Sequence, residues 1–380
     1  MKTETVRIFD EYAFNAQRLR EVLKQLDPTN IKILSTMMKV GPRNLLEVSR
    51  LTGIPFTTVY HRIAQIESKS RQVANLMPNV ARLGITRIMT LVAAKPGLED
   101  LVTEALKIPN YWRTVERCEG AFTHHSIQII PNKFLKQFRE YVSTMRAMNL
   151  IKSFRMVQGG DTYPVFPDFS TYKYGSGEWI FEWDAWLNAV KSGVPAETIQ
   201  DPTGDPVDVE WADLEIISFL EQNGRMRFTD IAEKINTSPQ TVKCRYDKLV
   251  ARGVAGRFDI LVVPYPPEMA SWHEFMLEFP DAAAMNRFFS LSKRLFFILS
   301  MAKALRRNAL LVQTIIVGSQ VENMFTFLAE MVNAGQLTSY SAVRLNMATG
   351  FRQTISSELF DPVNGWQWDV YKNLLELNKL

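Results

Sequence analysis

Cysteine is nearly missing from this chain: Cys118 and Cys244 are the only two among 380 residues. Two thiols so far apart frame neither a small disulfide-stapled fold nor a Cys-rich zinc centre, and they fit a reducing compartment. Histidine is almost as scarce, with four residues. The adjacent His124-His125 has no carboxylate or cysteine at ligand spacing, and neighbours on a strand face opposite ways, so no metal is expected. Long apolar runs are also lacking. The longest, Ala309 to Val317, is broken by Gln313 and Thr314 and falls far short of the roughly 20 residues that cross a bilayer. The N-terminal stretch mixes Asp10, Glu11 and Glu21 with Arg18, Arg20 and Lys24, which denies it a signal-peptide core. A cytoplasmic protein is the expectation. No phosphate loop, dinucleotide fingerprint or nucleophile motif occurs, so neither a cofactor nor an enzymatic activity is expected.

What the chain does have is ordinary globular composition, 46% hydrophobic and 22% charged, with a mild net charge of +4. That surplus permits nucleic acid as a partner without compelling it. The chain also repeats itself. The segment NIKILSTMMKVGPRNLLEVSRLTGIPFTTVYHRIAQIE from Asn30 aligns without gaps on DLEIISFLEQNGRMRFTDIAEKINTSPQTVKCRYDKLV from Asp213, an offset of 183 residues. Apolar positions coincide at Ile33 and Ile216, Val48 and Ile231, Val59 and Val242, and Ile66 and Leu249. Thr58 matches Thr241, and Arg62 matches Arg245.

Each copy divides into three short helices with breaks where a tight helical turn needs them, at Gly41-Pro42 and Asn223-Gly224, then at Gly53-Ile54-Pro55 and Asn236-Thr237-Ser238-Pro239. Ser238 is a natural N-cap, and Pro239 stands where its missing N–H costs nothing. The third helix places Val59, Ile63 and Ile66 inward in one copy, and Val242, Tyr246 and Leu249 in the other. The opposite faces carry hydroxyls, amides and cations, the groups that phosphates and base edges require. The candidate DNA-contacting residues are Thr57, Thr58, His61, Arg62, Gln65, Lys69 and Arg71 in the first copy. In the second they are Gln240, Thr241, Lys243, Arg245, Lys248 and Arg252. Between Lys243 and Arg257 five basic residues face one acidic residue, a local surplus of four.

Behind each triple helix the pattern predicts strand, helix, strand, strand, helix, strand, the order of a ferredoxin-like unit. Strands are expected at Ile85 to Ala93, Tyr111 to Cys118, Ala121 to Ile130 and Ser153 to Gln158, with helices near Leu98 to Leu106 and Lys133 to Asn149. The second unit gives strands at Trp272 to Glu278, Arg294 to Ala302, Ala309 to Val317 and Ser339 to Leu345, with helices near Ala282 to Leu291 and Val321 to Ala334. Aromatic tails follow both units, GEWIFEWDAWLNAV from Gly177 and NGWQWDVYKNLL from Asn364, and each is expected to pack onto its own domain. A basic set, Lys293, Arg294, Lys303, Arg306 and Arg307, is expected to be a solvated hairpin. An amphipathic helix is expected at Tyr12 to Leu26.

The pattern LDPTNIKIL, LLEVSRLTG and FTDIAEKINT, then SPQTVKCRYDKLVARG, resembles the winged helix-turn-helix of the Lrp/AsnC-type transcriptional regulators. The following units resemble that family's regulatory (RAM) domain, and duplication in one chain is an arrangement associated with archaea. The resemblance implies an α+β fold of tandem winged helix-turn-helix domains, each followed by a ferredoxin-like βαββαβ (RAM-like) domain. The expected division is 1–28 N-terminal extension, 29–82 first helix-turn-helix, 83–158 first RAM domain, 159–209 aromatic extension and linker, 210–265 second helix-turn-helix, 266–346 second RAM domain and 347–380 C-terminal aromatic extension. It further implies double-stranded DNA as partner, an amino-acid-like effector, and one chain acting as a pseudo-dimer with two unlike reading heads. Half-sites would then lie about 10 base pairs, or a multiple, apart. Two other functions remain open: a sirohaem decarboxylase-like enzyme on the same folds, drawing on His124, His125, Arg113 and Arg117, or a regulator acting only through protein partners.

Overall fold

The structure is a computed structural model describing residues 5–7, 26–69, 74–174, 178–193, 196–202, 205–260, 262, 264–265 and 270–380. The amphipathic helix expected at Tyr12 to Leu26 lies almost wholly outside them, as does Arg71.

A short strand β1 (Thr5–Arg7) precedes the first triple helix, α1 (Pro28–Val40), α2 (Leu45–Thr52) and α3 (Phe56–Lys69). Then come β2 (Asn75–Leu76), β3 (Ile85–Ala94), α4 (Glu99–Lys107), β4 (Trp112–Glu119), β5 (His124–Pro131), α5 (Leu135–Ala147) and β6 (Ile151–Pro164). An aromatic helix, α6 (Trp183–Lys191), leads to the second triple helix: α7 (Trp211–Gln222), α8 (Phe228–Lys234) and α9 (Pro239–Ala251). The chain closes with β7 (Phe258–Asp259), β8 (Ala270–Glu278), α10 (Ala282–Ser292), β9 (Ile298–Ala304), β10 (Ala309–Val317), α11 (Val321–Asn333), β11 (Ser339–Gln353) and α12 (Val370–Leu377).

Each ferredoxin-like unit has its fourth, first, third and second strands side by side, β6-β3-β5-β4 and β11-β8-β10-β9. The two sheets then join edge to edge twice, through β9 with β6 and through β11 with β4. The ring is closed, so neither sheet keeps the open edges that invite aggregation. This closure explains why β6 and β11 run beyond the expected ends at Gln158 and Leu345. Their added residues make the joints, pairing Tyr163 with Met301 and Phe351 with Val115. Period-2 patterning marks which residues face a core but is blind to pairing with a distant edge.

The helices coat the outside of the ring, and the packing is crosswise. One continuous core holds the first triple helix, the first aromatic tail and the second sheet's helices; the other holds the second triple helix, the C-terminal tail and the first sheet's helices. The aromatic tails therefore correct the expectation that each covers its own domain. Trp186 stacks on Phe327 with centroids 3.9 Å apart, while Trp368 sits against Tyr111, Phe134, Phe138 and Tyr141. Edge-to-edge pairing brings each tail, extended from a long fourth strand, onto the neighbouring half.

Inside the ring a smaller apolar cluster around Met89, Leu91, Ile127, Met276 and Leu311 is interrupted by charge. Buried His125 and Glu116 lie 2.5 Å apart, and Glu274 is buried nearby. The triple helices also touch each other. Arg43 donates to the carbonyls of Gly224 and Met226 at 2.7 and 3.1 Å and lies over the Phe228 ring. Gly224 is required there by contact rather than by backbone angle: a Cβ would fall 2.9 Å from the Ala74 carbonyl and 2.8 Å from the Phe258 ring.

Candidate nucleic-acid interface and large cleft

The third helices are built as their spacing predicts. Val59, Ile63 and Ile66 are buried in α3, as are Val242 and Leu249 in α9. The turn before each helix carries a left-handed residue at the matched position, Gly53 with φ 69° and Asn236 with φ 54°. Asn is one of the few side chains that tolerate that conformation. Ser238 Oγ accepts the Thr241 backbone N–H at 3.1 Å and so caps α9.

On the outer face of α9, Gln240, Thr241, Lys243 and Lys248 are exposed. Lys243 pairs with Asp247 one turn on, an exposed contact worth a few tenths of a kcal/mol that a phosphate would readily replace. Arg252 is exposed just past the helix and donates to the Asp208 carbonyl at 2.7 Å. The first copy presents a different surface. Thr57, His61 and Gln65 are exposed and Thr58 half-buried, and the face is dominated by Phe56 and Tyr60, 45% and 51% exposed. Tyr60 lies against both Phe56 and His61. Lys69 ends α3.

Arg62 and Arg245 are engaged within the protein. Arg62 pairs with Asp27 at 2.5 Å and donates to Asn30 at 3.4 Å; Arg245 pairs with Glu210 at 2.6 Å and Asp213 at 3.2 Å. Asp27 and Glu210, like Asn30 and Asp213, are themselves equivalent across the repeat. Each arginine thus clasps the start of the first helix of its own triple helix from the third. Asp27 also caps α1 through the Asn30 N–H at 2.7 Å. Burial works the other way, yet that hydrogen bond and Arg62 hold its carboxyl below the usual range. Arg245 does the same for Glu210. The sequence signal for this was available, since the acid partners repeat with the arginines.

The basic set does not form a free cationic patch. Lys293 pairs with Glu197, Arg294 with Asp168, Lys303 with Asp201 and Arg307 with Glu278, while the Arg306 N–H donates to Asp201.

A cleft of about 790 Å³ opens between the two triple helices and the sheet. Its lining includes Lys39, Arg43, Arg257 and Lys293 against the single acid Asp247, with Tyr163, Phe166, Tyr246 and Phe258 as aromatic walls. His124, His125, Arg113 and Arg117 are not part of that lining. His124 faces α4, bonded to Thr103 and the Glu99 carbonyl, and burial lowers its pKa to about 4. His125 lies inside the ring. Burial there favours its neutral form, but the Glu116 carboxylate prevails and raises its affinity for a proton. Arg113 pairs with Glu221 and Arg117 with Asp100. No cluster of potential metal ligands occurs among the described residues, and no helix among them is long and apolar enough to cross a membrane.

Residues 212–250 match the AsnC-type helix-turn-helix domain. An uncharacterized HTH-type transcriptional regulator of Pyrococcus horikoshii is 33% identical over 64 residues, 17% of this chain and 40% of that one. The HTH-type transcriptional regulator LysM of Sulfurisphaera tokodaii is 40% identical over 53 residues, 14% of this chain and 38% of that one. The chain thus matches about 40% of the length of these curated relatives. Among solved structures, the siroheme decarboxylase NirDL is similar over 92% of this chain and 98% of its own, with a TM-score of 0.52 at 12% identity. NirDL in complex with an iron-uroporphyrin III analogue is similar over 83% and 90%, with a TM-score of 0.51 at 13% identity. This likeness corrects the expectation that the chain is not an enzyme, because the architecture it has over nearly its whole length is one that an enzyme uses. The chain thus carries an AsnC-type helix-turn-helix at residues 212–250, within an internally duplicated fold similar to that of NirDL.

Proposed function

We propose that the chain is a transcriptional regulator that reads double-stranded DNA mainly with α9. The supporting observation is the outer face of that helix, where Gln240, Thr241, Lys243 and Lys248 stand exposed behind a Ser238 cap. The exposed amide and hydroxyl suit base edges and the lysines suit phosphate. The helix start adds a partial positive charge that favours a phosphate beside it. On this reading α3 is a second, unlike head that contributes shape and aromatic contact, and the preferred DNA site is asymmetric. Selection of bound fragments from random DNA tests the proposal. It should yield one enriched motif, and Lys243→Ala with Lys248→Ala should weaken binding to that motif at least tenfold. Equal recovery by the double variant would sink the reading.

A second reading has its own support in the large cleft, whose volume and cationic, aromatic lining suit a planar polycarboxylate such as a tetrapyrrole. NirDL is a siroheme decarboxylase, and a related activity here would hold carboxylates with Lys39, joined by Arg43, Arg257 and Lys293 once these leave Gly224, Asp161 and Glu197. Since no histidine lines this cleft, acid–base work there would fall to Tyr163, Tyr246 or Asp247. Adding sirohaem to the purified protein decides the matter. A shifted absorption spectrum with release of carbon dioxide supports the enzyme, whereas an unchanged spectrum removes it.

A further inference from the structure

A second, smaller cavity of about 290 Å³ sits at one mouth of the strand ring. Its lid is the ribbon formed by β2 and β7, where Asn75 pairs with Asp259 and Leu76 with Phe258. Both triple helices therefore contribute to the cover, since β2 follows the first and β7 follows the second. The walls come from the ring and from α7, and they carry Arg87, Arg113, Asp161, Glu221 and Trp272.

The charges in this cavity do not balance. Arg113 is matched by Glu221, which is buried. Arg257, on the lid strand's approach, is matched by Asp161 at 2.8 Å. Arg87 donates to Thr162 and lies in the field of Glu274 and Asp161. The charged groups that line the cavity are thus three acids, Asp161, Glu221 and Asp259, and two guanidiniums, Arg87 and Arg113. The carboxylate left over is Asp259, for which no hydrogen bond or ion pair is made by any described residue. Two polar atoms of the lining, Arg87 Nε and Asp161 Oδ1, are buried without a partner. Polar atoms buried in this way are uncommon in folded proteins and ask for an explanation, often a water or ligand.

We propose that this pocket binds a small organic cation, a primary ammonium compound of about the size of benzylamine, with Asp259 as its counterion and Trp272 as an apolar wall. An ammonium brings donors for the Asp259 oxygens and cancels that residue's negative charge. An anion would have to displace pairs that the arginines already make. The size of the cavity admits a ring or short chain and excludes a macrocycle, which separates this site from the large cleft. The inference is independent of whether the chain reads DNA or acts on a tetrapyrrole.

The test is calorimetric titration of the full-length chain with benzylammonium and n-butylammonium, alongside the neutral isostere benzyl alcohol and the anion benzoate. Saturable one-to-one binding of the cations is expected, with benzyl alcohol at least tenfold weaker and benzoate silent. Asp259→Asn should weaken the cations at least tenfold while its thermal unfolding stays at or above the parent temperature, so that loss of binding is not loss of folding. Trp272→Leu should weaken benzylammonium more than n-butylammonium. Equal binding of benzyl alcohol, preferential binding of benzoate, or no saturation by either cation at millimolar concentration would each overturn the proposal.

Discussion

Arg113 reaches from β4 to the carboxylate of Glu221 at the end of α7, and the same carboxylate accepts the Ile355 backbone N–H at 2.9 Å. The first sheet, the second triple helix and the tail of β11 meet at this one acid. Its side chain is 3% exposed. Removing a partner from a buried pair strands the other charge, which costs about 3–5 kcal/mol. Arg113→Met should therefore lower stability by about 3 kcal/mol in urea unfolding. Replacing both residues by methionine should recover part of that loss, the unpaired Ile355 N–H accounting for the remainder. A cost below about 1 kcal/mol for Arg113→Met would mean that water relieves the acid and the junction is loose.

The paired arginines separate structure from recognition. With Arg245 turned toward Glu210 and Asp213, Arg245→Ala should cost about 1 kcal/mol of stability, since these contacts are half-exposed, and leave the salt dependence of DNA binding unchanged. Lys243→Ala with Lys248→Ala should do the opposite. Stability should hold within about 0.5 kcal/mol, and the slope of log affinity against log salt should flatten by roughly one unit for each phosphate that is no longer neutralised. Gel shifts across a salt series measure both. A flattened slope in Arg245→Ala would return that arginine to the DNA face.

Much of this architecture was legible because the chain states it twice. The repeat fixed the triple helices, since two copies with breaks at matched places leave little freedom for Gly53 and Asn236 to mean anything but the same turn. The ferredoxin-like units followed from short apolar runs such as Ala309–Val317, whose ends agree with the observed strand. What escaped was everything decided between the halves. Ring closure depends on pairs such as Tyr163 with Met301, and nothing local in either strand names its partner. The crosswise seating of Trp186 and Trp368 is invisible for the same reason: an aromatic residue signals burial without naming the surface that covers it. The matched Arg62 and Arg245 were the instructive case, because a shared side chain is as readily a shared brace as a shared contact with DNA.

Asp259 gives the stability a pH dependence that can be assigned to one residue. Burial raises its carboxyl from 3.8 to about 6, with Arg87 and Arg113 and the carboxylates of Asp161 and Glu221 lining the same cavity. A raised acid favours the folded state while protonated, so its contribution is complete below about pH 4 and is lost as pH rises through about 6. Asparagine copies the protonated form. Asp259→Asn should match the parent at pH 4 and exceed it by about 1–2 kcal/mol at pH 7.5, below the roughly 3 kcal/mol ceiling of a two-unit shift, because the surrounding protein relaxes around the charge. Denaturant midpoints at both pH values test this. A constant difference between the two proteins would assign the effect to packing instead.

The crosswise cores predict that neither half of the chain is self-sufficient. Residues 1–204 alone would keep β6 and β4 as open edges and leave Trp186, Trp183 and Phe181 without the Phe288, Phe297 and Phe327 rings that cover them. Residues 205–380 alone would leave Trp368 without Tyr111 and Phe138, and Glu221 without Arg113. Burying a tryptophan contributes on the order of 3–5 kcal/mol, comparable with much of a domain's net stability. Each half expressed by itself should therefore self-associate through its open strands or aggregate. The two expressed together should form a one-to-one complex that unfolds as a unit, measurable by light scattering and calorimetry. Because the linker in the intact chain only raises the local concentration of the partner, the joined halves should be stabler than the complex at any attainable concentration. A half that proved monomeric and unfolded cooperatively would show that the exchanged aromatic tails dispense with their partner.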